Sequence, residues 1–173
     1  MTASPFTGKY EIVSIEADGQ NRPLFDVFAS QNQRLVFARM VLEFEPSRLS
    51  VVNQLLQSDG TSYQACDVKA SADAAWAGDL LSRALSLSAD ASASRIAVNI
   101  KDNEASTQAD RLACSVSLIL NRGARLERVA NSQEVVLTVD FEGRTLRYHL
   151  APIKDTTVDF AKLAERAARS PAP

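Results

Sequence analysis

Between Glu134 and Ile153 the chain reads EVVLTVDFEGRTLRYHLAPI, two alternating runs on either side of Glu142-Gly143. Val135, Leu137, Val139 and Phe141 alternate with Glu134, Val136, Thr138 and Asp140, the period of a strand with one buried face. After the Glu-Gly pair, Leu146, Tyr148 and Leu150 alternate with Thr145, Arg147, His149 and Ala151. A two-residue turn at Glu142-Gly143, with glycine free to adopt positive φ, sets Val139 against Leu146, Leu137 against Tyr148 and Val135 against Leu150. The opposite face then pairs Asp140 with Thr145, Thr138 with Arg147 and Val136 with His149. A slip of one residue would set the apolar row against the polar one, so this stretch specifies its own register.

Similar signals recur upstream. Gly8–Ile15 predicts a first strand with Tyr10 and Ile12 on one face and Val13 and Ile15 on the other, ended by Asp18-Gly19-Gln20-Asn21. In Val36–Glu45, the residues Val36, Ala38, Met40, Leu42 and Phe44 point inward, opposite Phe37, Arg39, Val41, Glu43 and Glu45. Leu49–Gln57 and Thr61–Ala70 are further strands; in the second, Gln64, Cys66 and Val68 share a face opposite Tyr63 and Lys69. The Ala-rich stretch ASADAAWAGD reads as a loop carrying Trp76, the single tryptophan. Leu80–Ser88 and Arg95–Lys101 are expected to pair with each other. Asp102–Asp110 is polar and patternless. Leu112–Leu120 places Cys114, Val116, Leu118 and Leu120 on one face, and residues 123–133 carry no assignable pattern.

Two helices interrupt this series. In Arg22–Gln33, Leu24, Phe25 and Phe28 fall at helical spacing behind Pro23, predicting a short amphipathic helix packed on an end of the sheet or lying over it as a lid. Thr156–Ser170 carries the stripe Phe160, Leu163, Ala164 and Ala167, with Thr156 and Asp159 in a capping-box-like arrangement, and the tail Ser-Pro-Ala-Pro stops it.

At 173 residues the chain is most simply one domain, spanning 1–173, with 154–173 a C-terminal helix and Pro-containing tail. The net charge of −2, with both signs mixed along the chain, argues against nucleic acid or an anionic membrane surface as partner. No run is long and apolar enough to span a bilayer. The opening MTASPFTGKY lacks the basic-then-apolar pattern of a secretion leader, so a cytoplasmic location is expected. Cys66 and Cys114, with one histidine in the chain, do not make a zinc site. Both sit on apolar faces and are expected to be reduced, buried and poorly reactive, with a Cys66–Cys114 disulfide as the alternative.

Many short strands joined mostly by hairpins, with two short helices, predict an all-β antiparallel up-and-down barrel of eight to nine strands, with a β-sandwich as the alternative. The order of elements is a first strand with Gly8-Lys9-Tyr10, a short helix near the first long connection, a meander, a closing hairpin and a C-terminal helix. This order resembles the lipocalin-like, calycin group of ligand-binding barrels over nearly the whole chain. Tyr10 stands where lipocalins usually carry tryptophan, and Arg147 is the residue that would stand in for the family's late arginine. The resemblance implies a cavity for a small hydrophobic molecule.

Catalytic constellations are sparse. His149 falls on the outward face of the hairpin beside Arg147, which reads as a surface histidine; a haem ligand or a general base would need it inside. A hydrolytic triad fails on the same point, and no phosphate-binding glycine loop is present. Three classes remain: a binder of a small hydrophobic ligand, a barrel enzyme such as a cyclase or isomerase that shapes its substrate, and a filled barrel acting as an interaction module. The first is preferred, with Tyr10, Phe25, Phe28, Met40, Leu118, Leu137 and Tyr148 as the expected ligand contacts. No metal and no cofactor is expected.

Overall fold

The structure, a computed structural model, describes residues 6–58, 63–89, 95–98 and 116–169. Among these residues the chain is all-β and antiparallel, with two helices. Strand β1 (Gly8–Ala17) turns through Asp18-Gly19 into β2 (Gln20–Pro23), which leads into helix α1 (Leu24–Ala29). Strands β3 (Leu35–Glu45), β4 (Arg48–Ser58) and β5 (Tyr63–Asp73) follow as a meander. Short strands β6 (Trp76–Ala77), β7 (Leu80–Leu81), β8 (Leu85–Ala89), β9 (Arg95–Val98), β10 (Val116–Leu120) and β11 (Arg125–Arg128) precede the hairpin β12 (Val135–Phe141) and β13 (Arg144–Pro152). Helix α2 spans Phe160–Arg169.

Eleven strands form one strongly curled sheet in the order β6-β7-β11-β12-β13-β1-β3-β4-β5-β9, with β2 branching from β1. The last strand, β13, lies against the first, β1, while β8 and β10 form a separate two-stranded ladder. The expected hairpin has the predicted register at every pair from Val135↔Leu150 to Asp140↔Thr145. Its turn has positive φ at both Glu142 (49°) and Gly143 (78°), matching the right-handed twist of the flanking strands.

The concave face buries the main core. Tyr10, Phe44 and Trp76 stack edge to face, with ring centroids 5.9 Å and 6.2 Å apart. Leu42, Leu49, Leu126 and Leu137 belong to the same core. Trp76 therefore lies in a short strand at the core, 1% exposed, where its Ala-rich flanks read as a loop. A second apolar cluster lies on the convex side, where Phe160 and Ala164 of α2 pack on Leu56 and Ala65. Strand β4 is consequently buried on both faces from Leu49 to Gln57.

Two bulges change which residues face the core. The register of β1 on β13 jumps between Ile12 and Ser14. Val13 is the extra residue and is exposed, and Ile15 is returned to the inner face with Tyr10 and Ile12 instead of lying opposite them. A second jump between Leu35 and Phe37 turns Leu35 into the core and sends Val36, expected inward, to the cluster under α2.

Other expectations are corrected by partner choice and by burial. Leu80–Ser88 does not pair with the strand at Arg95: β8 pairs with β10, matching Leu85 to Leu120 and Leu87 to Leu118, and β9 adds to the edge of β5. Residues 99–101, the loop 102–110 and the turn at 59–60 lie outside the described residues. The patternless stretch 123–133 contains β11, paired with β12. Helix α1 is confined to Leu24–Ala29, because Arg22 and Pro23 complete β2. Helix α2 begins at Phe160, and its cap is Asp159: the Oδ1 atom accepts the Lys162 N–H at 3.0 Å, a bond that Thr156 is too distant in sequence to make.

Cys66 also departs from expectation. It is fully buried and disulfide-bonded. The expected reduced thiol is therefore corrected at Cys66; Cys114 lies outside the described residues.

Candidate functional site

Among the described residues the curled sheet is not closed at β12. Strand β11 pairs with β12 over Val135–Thr138 only, which leaves Val139–Phe141 without a strand on that edge among the described residues. Strand β10 lies opposite. Among the described residues it pairs only with β8. The Asn121 side chain, just beyond β10, donates from Nδ2 to the Asp140 carbonyl at 2.7 Å and ties the two edges together. Between them lies a cleft of about 210 Å³, lined from β10 by Ser117, Leu118 and Ile119 and from the hairpin by Val139, Phe141, Leu146 and Tyr148.

The hairpin register puts Val139, Leu146 and Tyr148 on one wall, because cross-strand partners on one face lie within side-chain reach. Val139 is buried at the foot. Leu146 and Tyr148 are half-buried instead of fully buried, since their face opens into the cleft and not against a packed layer. Ile119 and Phe141, 51% and 39% exposed, form an apolar rim. Tyr148 brings the one phenol to this lining, and burial holds that phenol above its ordinary pKa, so it is neutral and able to donate a hydrogen bond.

Of the expected contact residues, Tyr148 and Leu118 meet in this cleft. Tyr10 is stacked on Phe44 in the packed core, and Leu137 is fully buried there. Met40 and Phe28 pack against that core, and Phe25 is exposed on α1. The rim residues Ile119 and Phe141 were not anticipated. Their signal was an apolar residue at an otherwise outward or turn-adjacent position.

His149 lies on the convex face, as its register requires, yet its side chain is only 17% exposed. Nδ1 is 2.7 Å from Glu134 Oε1, and Nε2 is 3.4 Å from Glu16 Oε1. Glu16 in turn lies 3.6 Å from the Arg147 guanidinium. The reading as a plain surface histidine is therefore corrected: the ring is held between carboxylates of β1 and of the segment entering β12. Those carboxylates sit on opposite sides of the ring and do not converge on one point. Among the described residues no group of three or more His, Cys, Asp or Glu side chains could hold a metal ion. No helix there is long and apolar enough to cross a membrane.

Compared with known proteins, the chain matches no family model, no curated protein and no solved structure.

Proposed function

We propose that this protein binds a small hydrophobic ligand in the cleft between β10 and the β12–β13 hairpin, in the manner of a lipocalin-like barrel. The observation that carries this reading is the open, apolar-lined gap beside the free edge of β12 among the described residues, with a half-buried neutral phenol on its wall. Apolar walls supply affinity in proportion to the area they cover, and the single phenol orients a polar end of the guest. The cleft is smaller than the ~300–1,000 Å³ of common ligand pockets, so a guest is small or enters in part. Affinity is expected to be micromolar or weaker. The Cys66 disulfide favours a compartment that keeps disulfides oxidised over the cytoplasm.

The test is uptake of the neutral fluorophore N-phenyl-1-naphthylamine by the folded protein. Leu146→Trp fills the cleft from a half-buried position and should abolish the fluorescence gain. Ala38→Trp, on a wall away from the cleft, should leave uptake intact wherever the variant folds. No uptake by the native protein, or uptake indifferent to Leu146→Trp, refutes the proposal in favour of a filled barrel acting through its surface.

A further inference from the structure

A second crevice, of about 250 Å³, lies on the other side of the sheet where the chain enters α2. Its frame is fixed by hydrogen bonds. Gln54 donates from Nε2 to the Thr156 carbonyl at 2.8 Å, Asp155 accepts the Thr157 N–H at 2.9 Å, and Asp159 caps the helix. Three cations from two elements line the crevice: Arg39 of β3, and Lys162 and Arg166 one turn apart on α2. Phe37, Val158 and Leu163 supply apolar wall. The one carboxylate in the lining, Asp159, is engaged at Oδ1 by the helix backbone.

Among the described residues, none of the three cations has a carboxylate within 4.0 Å. Arg39 donates from Nε to Gln54 Oε1 at 2.9 Å, a neutral acceptor, while its Nη2 is buried with no hydrogen-bond partner. A guanidinium stays charged throughout the accessible pH range, so an N–H group held out of water without an acceptor is unfavourable in the absence of a nearby anion. Lys162 and Arg166 at i, i+4 add like-charge repulsion along the same helix face. Hydrogen bonds from Thr157 lower the pKa of the exposed Asp155 carboxyl and Arg39 adds to this at longer range, but among the described residues no carboxylate reaches the buried Nη2 or either helix cation. Positive charge converging from two elements beside apolar wall is complementary to a molecule with one acidic head and a short tail.

We propose that this crevice binds a small amphiphilic anion, its carboxylate or phosphate head among Arg39, Lys162 and Arg166 and its tail on Phe37, Val158 and Leu163. The site is independent of the hairpin cleft. Its volume suits a small molecule, and its mixed lining disfavours a bare inorganic anion.

The experiment is a titration of ¹⁵N-labelled protein with sodium octanoate, alongside octyl phosphate, 1-octanol and inorganic phosphate. Octanoate or octyl phosphate should give saturable shifts at residues 37–39 and 156–166, and the tighter of the two identifies the head group. Lys162→Ala/Arg166→Ala, with both side chains exposed on α2, should keep the native spectrum and weaken binding by at least about ten-fold, the effect of losing charge-assisted hydrogen bonds. High salt should weaken it as well. Four results overturn the proposal: no saturable shifts, shifts confined to residues 139–148, affinity unchanged in the double variant, or equal binding of 1-octanol or inorganic phosphate.

Discussion

Truncating Leu137 to alanine tests the hairpin register and the packing of the core together. Leu137 is fully buried, flanked across β12 by Leu126 of β11 and Tyr148 of β13. The change removes three carbon atoms, which at ~0.8 kcal/mol each is about 2.4 kcal/mol of lost transfer free energy. The closed surroundings cannot collapse fully onto the vacated volume, so the cavity raises the total to about 3–4 kcal/mol. For a chain of this length that lowers Tm by roughly 6–16 °C. Leu146→Ala removes the same atoms from a side chain that is already half in solvent and faces the cleft, so no closed cavity forms and about 1–1.5 kcal/mol is expected. Urea denaturation under non-reducing conditions measures both, followed by the emission of Trp76, the single tryptophan, buried in the same core. Losses equal at the two positions, or a loss below ~1 kcal/mol at Leu137, would refute both the inward row and the open cleft.

His149→Ala should cost about 1 kcal/mol, more than a plain surface position, because it strips Glu134 and Glu16 of their shared partner; the double variant with Glu134→Gln should cost no more than the sum of the singles, checked by a double-mutant cycle. Since burial raises the Tyr148 phenol from its ordinary 10.0, the folded state binds more protons than the unfolded one above that pH. Stability should therefore fall as pH climbs through 10 toward the folded value, and Tyr148→Phe should remove that part of the alkaline loss, read from urea midpoints and tyrosinate absorbance. Reducing the Cys66 disulfide should lower stability by about 2–4 kcal/mol, the usual cost of losing a disulfide. Unreduced denatured protein should show no titratable thiol, and two thiols there would contradict the assignment.

Local pattern alone determined the hairpin, because its turn residues, alternation and apolar row all specify the same register. It also placed Tyr148 and Leu118 on inner faces, and so put two residues of the cleft within reach of sequence reasoning. The alternation of β3 was equally legible from Ala38 onward. What a period-2 pattern reports is a strand's face; it is silent on the strand's partner and on an added residue. The bulges at Val13 and Val36 shifted Ile15 and Val36 from their expected faces while leaving composition untouched.

The choice of β10 as the partner of β8, over the strand at Arg95, matched one row of leucines against another that lies more than 30 residues further on in sequence. The cleft is a consequence of that choice, since it is the gap between β10 and the part of β12 that β11 does not reach. The crevice beside α2 likewise exists only because the second apolar cluster docks the helix against β3 and brings Lys162 and Arg166 to Arg39, more than 120 residues away in sequence. Side-chain periodicity is a local property that a sequence displays directly. Strand partnership and helix docking are decided by burial shared between distant segments, and only the folded chain brings those segments together.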